Sequence, residues 1–116
     1  MGLDMYAYAV EQNAAVSDFD FARATSATRI HQWRKHYDLH GWMETLYRTK
    51  GGQDEMFNCN LLRLTPEDLD RLETAVRSDE IGEEPDEEGR ADDLAFIARA
   101  RLEIEQGRAV YYDSWW

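Results

Sequence analysis

Three histidines, one cysteine and a short run of cations are the residues of this chain with chemistry beyond packing. His36 and His40 stand four apart, His31 lies a little over one helical turn earlier, and Cys59 is the single thiol. Zinc takes three or four such groups converging on one point. No Cys-x-x-Cys or His-Glu-x-x-His pairing is present, and a helix beginning at Asp38 would take His36 off the face of His40. Packed or capping histidines and a buried core thiol at Cys59 are the plainer reading, and neither a metal nor a cofactor is expected. Arg34, Lys35 and His36 sit beside Trp33, with Trp42 following, and offer a guanidinium fork and an indole face to a phosphate or carboxylate. The alternative for them is a solvated basic turn that pairs with the protein's own acids. Asp4 and Asp113 fall in segments that read as the first and last strands, where aspartate is uncommon. If those strands are neighbours, the two carboxylates approach each other or the cations, and such a pair can do acid–base work. Capping of strand ends would explain them equally. No Ser-His-Asp arrangement is readable, so no catalytic residue is assigned and enzymatic activity stays open.

These residues depend on a small set of elements. Leu3–Val10 reads as a strand with Met5, Ala7 and Ala9 on one side and Tyr6, Tyr8 and Val10 on the other. Glu11–Asp20 reads as a loop. From about Ser26 the spacing of Ile30, Trp33 and Tyr37 suggests a helical segment. A clearer helix follows, with Leu39, Trp42, Met43, Leu46 and Tyr47 on one stripe, Asp38 as its cap and Gly51-Gly52 as its stop. Phe57–Leu64 reads as a second strand. Thr65-Pro66-Glu67-Asp68 has the composition of a helix start, with Leu69, Leu72 and Val76 buried behind it. Ser78–Arg90, with its glycines, proline and acids, reads as a mobile acidic loop. Ala91–Gln106 reads as a helix with Leu94, Ile97 and Ala98 inward, and Ala109–Trp116 as a closing aromatic strand. The expectation is one α+β domain over residues 1–116, with a sheet of about three strands, both termini included, and three to four helices over one face. Successive strand residues face opposite ways, so one of Trp115 and Trp116 should face outward as an anchor for a protein partner.

Charge is distributed unevenly. The net charge is −11, and between Thr65 and Asp93 thirteen acids face three arginines, a local −10. Arg23, Arg29, Arg34 and Lys35 occur in a stretch without a single acid. Phosphates would be repelled by the acidic part, so direct nucleic-acid binding through it is not expected. A protein that itself binds nucleic acid is a compatible partner, and opposite charge would speed that encounter. At 116 residues the chain is of single-domain size, and one cysteine excludes an internal disulfide. Neither a membrane span nor a signal-peptide pattern is visible, so a cytoplasmic location is expected.

Several segments together resemble a family of small bacterial and phage proteins of uncharacterised function. They are Gly2-Leu3-Asp4-Met5-Tyr6, Trp33-Arg34-Lys35-His36, Leu39-His40-Gly41-Trp42-Met43-Glu44, Phe57-Asn58-Cys59, Asp92–Ala98, and Val110-Tyr111-Tyr112-Asp113-Ser114-Trp115-Trp116. This sequence departs from the family pattern at Ile81–Glu88, where a Gly-Phe-rich loop is replaced by acids. The resemblance implies a mobile-element protein, and with the concentrated charge it points to a non-enzymatic inhibitor of anti-CRISPR or anti-restriction type. Such a protein would occupy the basic surface of a bacterial defence complex. The residues expected to meet that partner are Glu67, Asp68, Asp79, Glu80, Glu83, Glu84, Asp86, Glu87, Glu88 and Trp116. The competing expectation is a small ligand-binding protein or enzyme for a phosphate- or nucleotide-like molecule, using Asp4, Arg34, Lys35, His36, His40 and Asp113.

Overall fold

The two terminal strands form the centre of the molecule. In a computed structural model that describes residues 3–22, 26–58, 60–78, 81 and 87–115, β1 (Asp4–Glu11) and β6 (Arg108–Trp115) pair antiparallel over their full length, from Asp4 opposite Trp115 to Glu11 opposite Arg108. Between them in sequence come β2 (Ala15–Ser17), β3 (Asp20–Phe21), β4 (Thr28–Arg34), the helix α1 (Tyr37–Thr49), β5 (Leu62–Leu64), and the helices α2 (Pro66–Arg77) and α3 (Glu87–Glu105). The main sheet is antiparallel with order β4-β1-β6-β5, and β2-β3 form a separate two-stranded ribbon. The fold is α+β, with four strands in the main sheet where about three were expected.

The additional strand is β4, over the stretch whose Ile30–Trp33–Tyr37 spacing suggested a helix. Its register with β1 jumps from Ala7 opposite His31 to Tyr8 opposite Arg29, so Ile30 is an extra, bulged residue. A bulge adds one residue to the period-two alternation. It therefore places Ile30 and Trp33, three apart, against the same core and imitates a helical repeat. Other boundaries shift as well. The strand expected at Phe57–Leu64 is confined to Leu62–Leu64, and the expected loop Glu11–Asp20 contains a 3-10 turn (Gln12–Ala14) and β2. Asp38 lies inside the first turn of α1 rather than capping it. Glu87–Arg90, assigned to the acidic loop, are the first turn of α3, and Ile81 is buried; Asp79, Glu80, Glu83, Glu84 and Asp86 lie outside the described residues.

The start of α2 follows the expected chemistry. The Thr65 hydroxyl accepts from the Asp68 amide, the Asp68 carboxylate accepts from the Thr65 amide, and Pro66 occupies the first turn. Helices cover one sheet face, where Met5, Ala7, Val110, Tyr112, Leu62 and Leu64 meet Leu39, Met43, Leu69, Leu72, Phe96 and Ile97. Within α3 the inward residues are Asp93, Phe96, Ile97, Ala100 and Glu103, whereas Ala98 is exposed. Glu103 is tolerated inside because Arg99 and Arg108 reach it at 2.9 and 2.7 Å, and their pairing holds its carboxyl below the usual range against the upward pull of burial. On the opposite sheet face the β2-β3 ribbon covers only one end. There Val10, Ala14, Ala109 and Tyr111 form a second small core, and the Tyr111 hydroxyl lies 2.6 and 2.8 Å from the Ser17 and Asp20 carbonyl oxygens. Among the described residues no element covers the other end of that face.

Candidate functional site

The open end of the sheet gathers three of the six residues expected to line a pocket. Pairing of β1 with β4 and β6 sets Asp4 between Arg34 and Trp115, and Tyr6 between Gln32 and Asp113. Cross-strand partners share a face, so Asp4, Tyr6, Tyr8, Arg29, Arg34, Asp113 and Trp115 belong to one surface. Arg29 lies over the Tyr6 ring at 5.6 Å, and Tyr6 and Tyr8 are 6.2 Å apart. Trp115 is 66% exposed. Burial raises the Asp113 carboxyl, against a hydrogen bond from the Ser114 amide, and burial together with Asp113 raises the neighbouring Tyr8. The terminal carboxylates and Arg34 therefore do share a surface. They are spread along one face of the neighbouring strands β4, β1 and β6.

His36 and His40 lie elsewhere. Along the seam between β4 and α3, two consecutive carboxylates reach across to β4 and the residues after it. Asp92 meets His31 Nε2 at 3.0 Å, while buried Asp93 accepts from Trp33 Nε1–H at 3.1 Å and meets His36 Nε2 at 2.9 Å. Burial draws the His36 pKa down, but the hydrogen bond and charge of Asp93, aided by Asp38 and Asp92, outweigh it and the pKa is raised. This His–Asp arrangement orients the ring and ties α3 to the sheet. Lys35 is exposed at φ 60°, a left-handed turn between β4 and α1.

His40 projects from α1 towards the sheet, where Nδ1 is 2.7 Å from the Tyr112 hydroxyl and the ring also hydrogen-bonds the Phe57 backbone. In the neutral ring, donation of one N–H to that carbonyl leaves Nδ1 to accept from the Tyr112 hydroxyl. The ring stacks on Phe57 with centroids 5.1 Å apart. Burial lowers the His40 pKa despite Glu44 and the Phe57 bond, and burial also raises Tyr112 well above the usual phenol range. The imidazole forms one wall of a cleft of about 460 Å³ whose other walls are Leu3, Tyr37, Glu44, Glu55, Met56 and Phe57.

The acidic segment is partly consumed by the fold. Asp68 is buried and bonded to Lys50 at 2.5 Å, so it is not part of an exposed surface. Asp70 and Glu73 both hold Arg101, at 2.7 and 2.6 Å, and thereby tie α2 to α3. Glu67, Glu87 and Glu88 remain exposed; Trp116, like the acids at 79–80 and 83–86, lies outside the described residues. Among the described residues no group of three or more His, Cys, Asp or Glu is placed to hold a metal ion, and Cys59 is not among them.

No motif marks the loop residues Glu55 and Met56, which join the cleft only through the tertiary fold. The alternation in Leu3–Val10 did signal the outward pair Tyr6 and Tyr8. No helix among the described residues is long and apolar enough to cross a membrane. No family model matches the chain, and neither a curated protein nor a solved structure matches it.

Proposed function

We propose that this chain is a non-enzymatic interaction protein of phage or mobile-element type. In this reading it binds and inhibits a nucleic-acid-binding bacterial defence complex by occupying its basic surface. The observation that carries the reading is where the fold puts charge. Of the acids in the segment with a local −10, Glu67, Asp70, Glu73, Glu87, Glu88 and Asp92 lie on α2 and the first turns of α3, which pack together, whereas Arg29 and Arg34 lie on the sheet face turned away from the helices. Acids gathered on that side would meet the partner's basic surface, and opposite charges steer encounter. The histidines support the same reading: their side chains are engaged with Asp92, Asp93 and Tyr112 in structural bonds. A pocket for a phosphate- or nucleotide-like molecule is less well supported, because the six residues expected to form it are divided among the sheet face, the β4–α3 seam and the His40 cleft. That cleft is lined by Glu44 and Glu55 and, among the described residues, by no lysine or arginine.

The test is reversal of Glu83, Glu84, Glu87 and Glu88 to lysine, which moves the net charge from −11 to −3. Association with the defence complex should slow by about tenfold or more at low salt, with the difference shrinking as salt is added. Unchanged association together with loss of function in an Arg34→Ala/His40→Ala variant would sink the proposal in favour of pocket chemistry.

A further inference from the structure

We propose that the cleft beside His40 is an anchor pocket for an arginine side chain of the partner protein. This rests on the reading above, in which the partner presents a basic surface, and it names where one of those cations docks.

The cleft is a built feature. Its outer wall, the loop after α1, is braced from behind: Arg48 donates to the carbonyls of Gly52 and Glu55 at 3.4 and 3.0 Å, and the Tyr47 hydroxyl accepts from the Asp54 amide and the Asn60 carboxamide at 3.2 and 3.1 Å. Its size, about 460 Å³, is within the range of about 300–1,000 Å³ typical of small-ligand sites. Two of the five large apolar side chains exposed among the described residues, Tyr37 at 63% and Met56 at 58%, line it. Isolated apolar side chains on a surface need no explanation, but two flanking one concavity mark a place that gains by being covered.

Charge selects the occupant. Glu44 and Glu55 are the carboxylates of the lining, and among the described residues no lysine or arginine joins them. Glu44 has a longer contact with Arg48 at 3.6 Å, which leaves it able to accept a second cation. Burial lowers the His40 pKa and so disfavours its charged form, and the ring is already engaged through both Tyr112 and Phe57, so it contributes shape. An anion is therefore disfavoured. An apolar wall with an exposed tyrosine ring and two carboxylates suits a guanidinium, which is planar, weakly hydrated, stacks on aromatic faces and pairs with carboxylates through a fork. Its three-carbon stem would cover Leu3 and Met56.

The test uses the full chain labelled with ¹⁵N and the peptide acetyl-Ala-Arg-Ala-amide, with the isosteric but neutral citrulline peptide and the lysine peptide as comparators. The arginine peptide should shift the amides of Tyr37, Glu44 and Met56. The citrulline and lysine peptides should bind at least about tenfold more weakly, and Glu44→Gln with Glu55→Gln should weaken the arginine peptide by about as much. Equal binding of the arginine and citrulline peptides, equal binding of the lysine peptide, or no shift in the cleft at about 10 mM peptide would overturn the proposal. Both substitutions are isosteric, Glu55 being exposed and Glu44 half-buried, and an unchanged amide spectrum elsewhere confirms the fold. If acid reversal abolishes partner binding while the arginine peptide leaves the cleft untouched, this inference fails and the proposed function stands. The opposite pair of results removes the proposed function and keeps the pocket.

Discussion

Replacing Asp93 by alanine tests the seam that joins α3 to the sheet. In the native protein this buried carboxylate accepts the Trp33 indole N–H and meets His36 at 2.9 Å. Truncation leaves a buried indole donor without an acceptor, at about 1–3 kcal/mol. It also removes the partner of His36, and breaking a buried charged pair costs about 3–5 kcal/mol when the group left behind stays charged. His36 can shed its proton, so the pair contributes at the lower end and a total near 3 kcal/mol is expected at pH 6. For a 116-residue domain the unfolding entropy is about 0.24 kcal/mol/K, so Tm should fall by about 12 °C. The sign with pH is determined by the raised His36 pKa. A raised histidine stabilises the fold fully below its unfolded value near 6.5, and that contribution is lost as pH rises through the folded pKa. The cost of Asp93→Ala should therefore be larger at pH 6 than at pH 8. Thermal unfolding by circular dichroism at both pH values, with an NMR titration of the His36 ring, measures it. A Tm within about 3 °C of the parent at pH 6, or an equal loss at both pH values, would refute the reasoning.

Gly52→Ala should cost about 2 kcal/mol in urea denaturation, because an added Cβ would sit 2.3 Å from the Tyr47 ring, which is itself held by Asp54 and Asn60. Lys50→Ala should destabilise by about 3 kcal/mol at pH 7, since it strips the buried Asp68 carboxylate of its cation; Asp68→Asn on that background should recover part of the loss in the same assay. Tyr112→Phe should cost about 1 kcal/mol and leave His40 Nδ1 without its donor. Because the His40 pKa is lowered, its contribution is present above the unfolded value near 6.5 and is lost as pH falls through the folded pKa; stability measured from pH 7 to pH 5 should decline, less steeply in His40→Phe.

How far each element was legible depends on the range of the interaction that decides it. The capping box at Thr65–Asp68 and the stripe Leu39–Met43–Leu46 are local in sequence and followed directly from residue types. The pairing of β1 with β6 spans nearly the whole chain, yet β1 was readable from its own alternation and β6 from its aromatic composition. β4 was not, because its bulge at Ile30 makes sense only once β1 is placed beside it. The burial of Asp68, expected at a partner surface, and of Asp93, counted with the acidic segment, was not legible for a similar reason. Charge is visible in a sequence, but the partner that makes burial tolerable is 18 residues away for Asp68 and 57 for Asp93.

By itself the sequence determined a chain able to fold as one α+β unit, the direction of the helix stripes, and a concentration of negative charge in one segment. These follow from composition and short-range periodicity, which need no knowledge of what lies opposite. Tertiary structure alone decided which acids stay on the surface, that the terminal aspartates and Arg34 share an open sheet face, and that His36 and His40 belong to different sites. It also created the cleft between α1 and the loop before β5, whose walls come from residues 3, 37–44 and 55–57. A concavity is a property of several segments held at fixed distances, and no local pattern in any one of them encodes it.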